Sequence, residues 1–147
     1  MQSSRRIRRD SEISRHSPTQ FYVPTCIFNT QLSSYETIVK FLKESYGLSF
    51  QKIAELLGKK RQSAWRAYQS ASEKFKQSFE VTNLAYPIPV SIFRHSKLSL
   101  LETIVQFLRD NYKLTNSEIS AILMRDERNI LTVHKRAVRK ELHGITA

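Results

Sequence analysis

Cysteine is nearly absent. The single Cys26 cannot close an internal disulfide or build a metal site, and a reducing compartment fits. Glycine and proline are scarce, at 3 and 4 residues, which disfavours an all-β fold built on tight turns. No apolar run approaches the roughly 20 residues of a membrane span, and the first 20 residues lack the apolar centre of a secretory signal. They are rich in Ser and Arg, as a transit peptide would be, but Asp10 and Glu12 argue against one. The expected location is cytoplasmic and nucleoid-associated, or nuclear, and not secreted. Acids are also few: 13 Asp and Glu face 24 Lys and Arg, for a net charge of +11. Such a balance favours polyanionic partners, above all nucleic acid.

What is present in 147 residues is present twice. Shifted by 66, Leu32–Ala71 overlays Leu98–Ala137 with thirteen identities in forty positions, among them Ser33, Glu36, Thr37, Ile38, Val39, Phe41 and Leu42. Upstream, after a one-residue slip, "VPTCIF" from Val23 matches "IPVSIF" from Ile88. This is an internal duplication. It divides the chain into a basic tail over 1–20, expected to be disordered, a first unit over 21–82 and a second over 83–147.

Each unit has one grammar. A Pro-led apolar hexapeptide is expected to be extended, because Pro fixes φ and removes a donor. Ser33-x-x-Glu36 and Ser99-x-x-Glu102 are capping boxes that open a first helix, ending near Tyr46–Gly47 and Tyr112–Lys113. Ser49 and Thr115 start a second helix with Ile53, Leu56 and Leu57, or Ile119, Ile122 and Leu123, on its apolar face. A turn at Gly58 or Met124 leads to a third helix. Asp126 suits its N-cap, whereas Lys60 does not. The predicted fold is therefore mainly α: two tandem three-helix helix-turn-helix units, each preceded by a short extended segment. Those segments can pair as a two-stranded antiparallel ribbon about a pseudo-twofold axis. Periodicity alone fits a plain three-helix bundle equally well.

Charge separates the two readings. Windows 59–76 and 125–140 hold half of the chain's 24 Lys and Arg, Lys74 and Lys140 included, but only Glu73, Asp126 and Glu127 as acids. Ala64, Ala67 and Ala71, and Ile130, Val133, Ala137 and Val138, form apolar stripes on the third helices. The opposite faces carry residues able to contact phosphates and base edges. In the first unit these are Lys60, Arg61, Gln62, Ser63, Arg66 and Gln69. In the second they are Arg125, Glu127, Arg128, Asn129, Thr132, Lys135 and Arg136. Trp65 and Leu131 share one slot and are expected to cover Ile27, Phe28, Ile92 and Phe93 of the hexapeptides. His134 is expected to pack half-buried, since no second ligand or base accompanies it.

"LTNSEISAILMRDERNILTVHKRAVRK" resembles the helix-turn-helix of region 4 in sigma-70-type initiation factors. Glu118-Ile119 matches the pair on its short helix. Ile130, Val133, Ala137, Val138, Arg139 and Lys140 match the recognition helix and its alanine-centred basic tail. The resemblance covers about 40 residues per unit. It implies that Glu127, Arg128 and Thr132 read bases, as would their equivalents Arg61, Gln62 and Arg66.

The expected function is sequence-specific binding of double-stranded DNA by two recognition helices in successive major grooves, about 34 Å apart, in transcription regulation. The chain would act as a monomeric pseudo-dimer or as a homodimer. The two faces differ, so an imperfect palindrome or two unlike half-sites is expected, and linkage of the units adds avidity. The basic tail could reach along phosphates or into a minor groove. The alternative is an adaptor that docks on RNA polymerase or another DNA-bound partner. No Gly-rich phosphate loop, paired acids, Cys–His couple or metal cluster points to an enzyme or a cofactor.

Overall fold

The computed structural model describes residues 20–146; the expected tail lies outside them except for Gln20. Six α-helices and one two-stranded antiparallel sheet make up the regular structure of the described residues. The first unit contributes strand β1 (Tyr22–Val23) and helices α1 (Ser34–Tyr46), α2 (Phe50–Leu57) and α3 (Arg61–Lys74). The second contributes β2 (Ile88–Pro89), α4 (Leu100–Tyr112), α5 (Asn116–Leu123) and α6 (Glu127–Thr146).

Local chemistry sets the helix ends. Ser33 Oγ accepts from the Glu36 N–H at 3.1 Å while Glu36 Oε1 accepts from the Ser33 N–H at 2.8 Å. Ser99 and Glu102 repeat this at 3.2 and 2.9 Å, and Thr115 and Glu118 at 3.2 and 3.0 Å. Each box satisfies N–H groups that would otherwise be orphaned. The first two helices of each unit stop at left-handed residues: Gly47, Gly58, Lys113 and Met124, with φ of 65°, 66°, 56° and 57°. Lys60 flanks α3 with no side-chain cap, whereas Asp126 Oδ1 accepts the Arg128 N–H at 2.7 Å.

The hexapeptides are shorter as strands than expected. After two residues each turns into a 3-10 segment, Thr25–Ile27 and Val90–Ile92. Their pairing is the one that a twofold axis demands. Val23 lies opposite Ile88, its own equivalent in the duplication, and Tyr22 lies opposite Pro89. A pseudo-dyad therefore passes between Val23 and Ile88, both fully buried.

The axis organises everything around it. The 3-10 turn of the first unit packs on α5 of the second, and the turn of the second packs on α2 of the first. α1 and α4 meet across the axis. Near the N-termini of those helices lies a cleft lined by equivalent pairs: Ser34 and Leu100, Tyr35 and Leu101, Lys59 and Arg125. One continuous core runs through both units, from Phe21 and Ile38 to Ile130 and Val133. The 3-10 segments that hold Ile27 and Ile92 thus pack across the dyad, and Trp65 and Leu131, expected to cover Ile27, Phe28, Ile92 and Phe93, stand exposed instead.

The connection between units is tied down as well. Phe79 stacks on Phe75 at 5.4 Å and meets Phe41 at 6.5 Å, and Lys40 Nζ lies 5.3 Å from the Phe79 ring centre. Lys40 is 1% exposed, and its buried charge is matched by Glu44 Oε1 at 2.6 Å. Thr25 Oγ1 donates to the Ala85 carbonyl at 2.8 Å, and Tyr112 Oη donates to the Pro87 carbonyl at 2.9 Å.

Candidate nucleic-acid interface

α3 packs on α1 and α2, and α6 packs on α4 and α5. Ala64, Ala67 and Ala71 of α3, and Ile130, Val133 and Ala137 of α6, are buried at those contacts. Val138 is not: it stands 36% exposed, so the core stripe of α6 ends one residue earlier than its periodicity predicts. The opposite face of each helix is left to solvent.

On the first face Lys60, Arg61, Gln62, Arg66 and Gln69 are exposed. On the second face Glu127, Arg128, Asn129, Thr132, Lys135 and Arg136 are exposed. Two other candidates point elsewhere. Ser63 is half-buried, and its hydroxyl is 2.9 Å from Tyr35 Oη. Arg125 is half-buried in the dyad cleft, where its Nη2 reaches Ser34 Oγ of the other unit at 3.5 Å. Thr132 Oγ1 donates back to the Arg128 carbonyl at 3.0 Å and still has lone pairs to offer outward.

Electrostatics divide the cations into two groups. Lys74 Nζ sits 2.9 Å from Glu36 Oε2, and its equivalent Lys140 sits 2.7 Å from Glu102 Oε1. These two lysines are ion-paired within their own units and are subtracted from the count that the sequence suggests. Burial pushes the Glu36 carboxyl up, but hydrogen bonds from Ser70, Ser33 and Lys74 outweigh it and hold the group down at about 2. Glu102 is likewise lowered: burial opposes, while Lys140 and Ser99 prevail. Lys60, Arg61, Arg66, Arg128, Lys135 and Arg136 form no ion pair among the described residues. Their charge remains available to an outside partner.

Trp65 and Leu131 correct the expectation placed on them. They are 49% and 38% exposed. The helix explains why: Trp65 is four residues from both Arg61 and Gln69, and at about 100° per residue it must share their face. Leu131 stands likewise between Glu127 and Lys135. Arg61, Gln62 and Trp65 line one shallow depression. Glu127, Arg128 and Leu131 help to line its counterpart.

His134 is half-buried on the side of α6 that meets α4, with Nδ1 2.6 Å from Gln106 Oε1. Burial and the nearby Arg109 guanidinium lower its pKa despite Asp110 and Glu141, so neutral imidazole packs there. The equivalent Tyr68 Oη donates to Glu44 at 3.0 Å. Among the described residues no three His, Cys, Asp or Glu gather as a metal site, and no helix is long and apolar enough to cross a membrane.

The site is thus two exposed, mainly cationic faces on the third helices, related by the pseudo-dyad, with Trp65 on the first and Leu131, Val138 and Leu142 on the second as exposed apolar side chains. No family model, curated protein or solved structure matches the chain, so its own geometry carries the functional argument.

Proposed function

We propose that the chain binds double-stranded DNA in a sequence-dependent way, presenting α3 and α6 to successive major grooves, and that it regulates transcription from that position. One observation carries the reading. The same face of the third helix in both units is solvent-exposed, rich in Arg, Lys, Gln and Asn, and without internal ion pairs among the described residues. Arg and Gln offer paired donors or a donor–acceptor edge to guanine and adenine, Glu127 can accept from cytosine, and the cations can also reach phosphates.

The pseudo-dyad adds orientation. Equivalent residues face each other at Val23 and Ile88, so the reading faces are related by rotation and not by translation. The matching DNA has half-sites in inverted order. They are unlike, because Arg61 and Gln62 occupy the positions of Glu127 and Arg128. The resemblance of the second unit to sigma-70 region 4 agrees with a regulator working at promoters.

A second reading has the same faces docking on RNA polymerase or another DNA-bound protein, and the exposure of Trp65 favours it. Salt and sequence separate the two. A protein that neutralises several phosphates loses duplex affinity steeply between 50 and 200 mM salt, by about tenfold or more. Selection from random duplex DNA should return an imperfect inverted repeat. No enrichment together with weak, salt-insensitive binding would reject DNA reading.

A further inference from the structure

Trp65 is out of place on a face otherwise built for water or for charge, and Leu131 holds the equivalent place on α6, in line with the exposed Val138 and Leu142. Trp65 and Leu131 occupy the same slot, 66 residues apart. Each stands one helical turn from a charged residue at the start of its helix, Arg61 or Glu127, and one turn before Gln69 or Lys135. An apolar side chain in the middle of one reading helix is an accident of surface composition; the same choice at both equivalent positions calls for an apolar ligand on each side.

Neighbouring groups restrict what that ligand is. Arg61 and Arg66 flank Trp65 with no ion pair among the described residues, whereas Arg128 and Lys135 beside Leu131 share its surroundings with Asp126 and Glu127. A partner that covers Trp65 must therefore bring negative charge around an apolar spot, and one that covers Leu131 meets both signs of charge. Duplex DNA has that pattern in the major groove. Phosphates border the groove, and its floor presents donors and acceptors with one apolar exception, the 5-methyl of thymine. An apolar side chain set against cytosine or a purine edge would strip water from a polar group and return no hydrogen bond.

We propose that Trp65 and Leu131 each contact the 5-methyl of a thymine, one in each half-site, and thereby select T at that base pair. The inference rests on the DNA-reading function above and assigns one of its specificity determinants. The indole presents more apolar area than the leucine side chain, so the half-site read by α3 has the stronger methyl dependence.

The test begins with the unaltered full chain and its selected duplex. Each thymine is replaced singly by uracil, which removes one methyl and leaves pairing intact. One position in each half-site should lose about three- to fivefold in affinity, the effect of burying one methyl. Trp65→Ala should bind more weakly and lose uracil sensitivity in one half-site only, and Leu131→Ala should lose it in the other. Sequence-specific binding that survives every uracil replacement undiminished would overturn the methyl contact and leave DNA reading intact. So would a folded Trp65→Ala chain with both methyl effects retained, or one that binds duplex normally but loses a protein ligand. Failure of the unaltered chain to select any duplex would remove both ideas together.

Discussion

Glu36 binds both ends of its unit. Its carboxylate accepts the Ser33 N–H at the start of α1 and, 38 residues on, the Nζ of Lys74 in the last turn of α3. Ser70 adds a hydrogen bond at 2.5 Å. The capping box thereby fixes where the third helix lies, and Glu102 with Lys140 repeats the device.

Acid should loosen this clamp. The Glu36 carboxyl is held at about 2, against an ordinary 4.5, so the native chain binds fewer protons than the unfolded chain between those values. Its stabilisation is complete above pH 4.5 and is lost as pH falls toward 2. Glu102 contributes with the same sign. Urea unfolding at pH 7, 4.5 and 3 should show a decline that is shallower in Glu36→Gln. That variant should already be about 1–3 kcal/mol less stable at pH 7.

The turns that end the second helix of each unit should answer oppositely to substitution. A Cβ on Gly58 would lie 2.6 Å from the Arg94 carbonyl oxygen of the other unit, and φ is +66°. Gly58→Ala should cost about 2 kcal/mol or more, since backbone must move and left-handed geometry is strained. Met124 holds the same geometry with an exposed side chain. Met124→Gly should be neutral or stabilising by up to about 1 kcal/mol. Chemical denaturation of both variants measures the contrast.

Truncation at the dyad should be felt in both units. Ile88→Ala removes a fully buried side chain opposite Val23 and should cost about 2–4 kcal/mol. Since one core spans both halves, amide exchange should accelerate in α1 and α4 alike. Acceleration confined to the second unit would show that the halves unfold separately.

On the proposed reading face, Arg128→Ala should weaken binding to a duplex selected by the chain by about 1–3 kcal/mol and relax preference at one base pair. Lys60→Ala should weaken all sequences about equally and reduce the salt slope by about one. A binding assay across salt concentrations and single-base variants distinguishes them.

Much of this architecture was legible in the chain. The duplication, the Ser-x-x-Glu boxes, the helix stops at Gly58 and Met124 and the pairing of the hexapeptides are all local signals or repeats of one. Tertiary register was harder to read. Lys74 and Lys140 resemble free cations until α3 and α6 are laid along α1 and α4, which brings Glu36 and Glu102 within reach. Likewise, nothing local indicates that the 3-10 segment holding Ile27 packs on α5, in the other unit. The exposure of Trp65 was available from its four-residue spacing to Arg61 and Gln69, which puts the three on one face. Val138 lies about 100° round the helix from the buried Ala137, toward the side of Leu131, and so stands exposed.

Residues along the pseudo-dyad answer to one another. Val23 must suit Ile88, and Gly58 must suit Arg94. The outward faces of α3 and α6 are under no such mutual obligation. A homodimer alters both of its equivalent faces with every codon change, whereas one polypeptide that spans its own symmetry axis can revise one face and keep the other; under the proposed DNA reading, that is one half-site at a time. Arg61 in the place of Glu127, and Gln62 in the place of Arg128, already differ in this way.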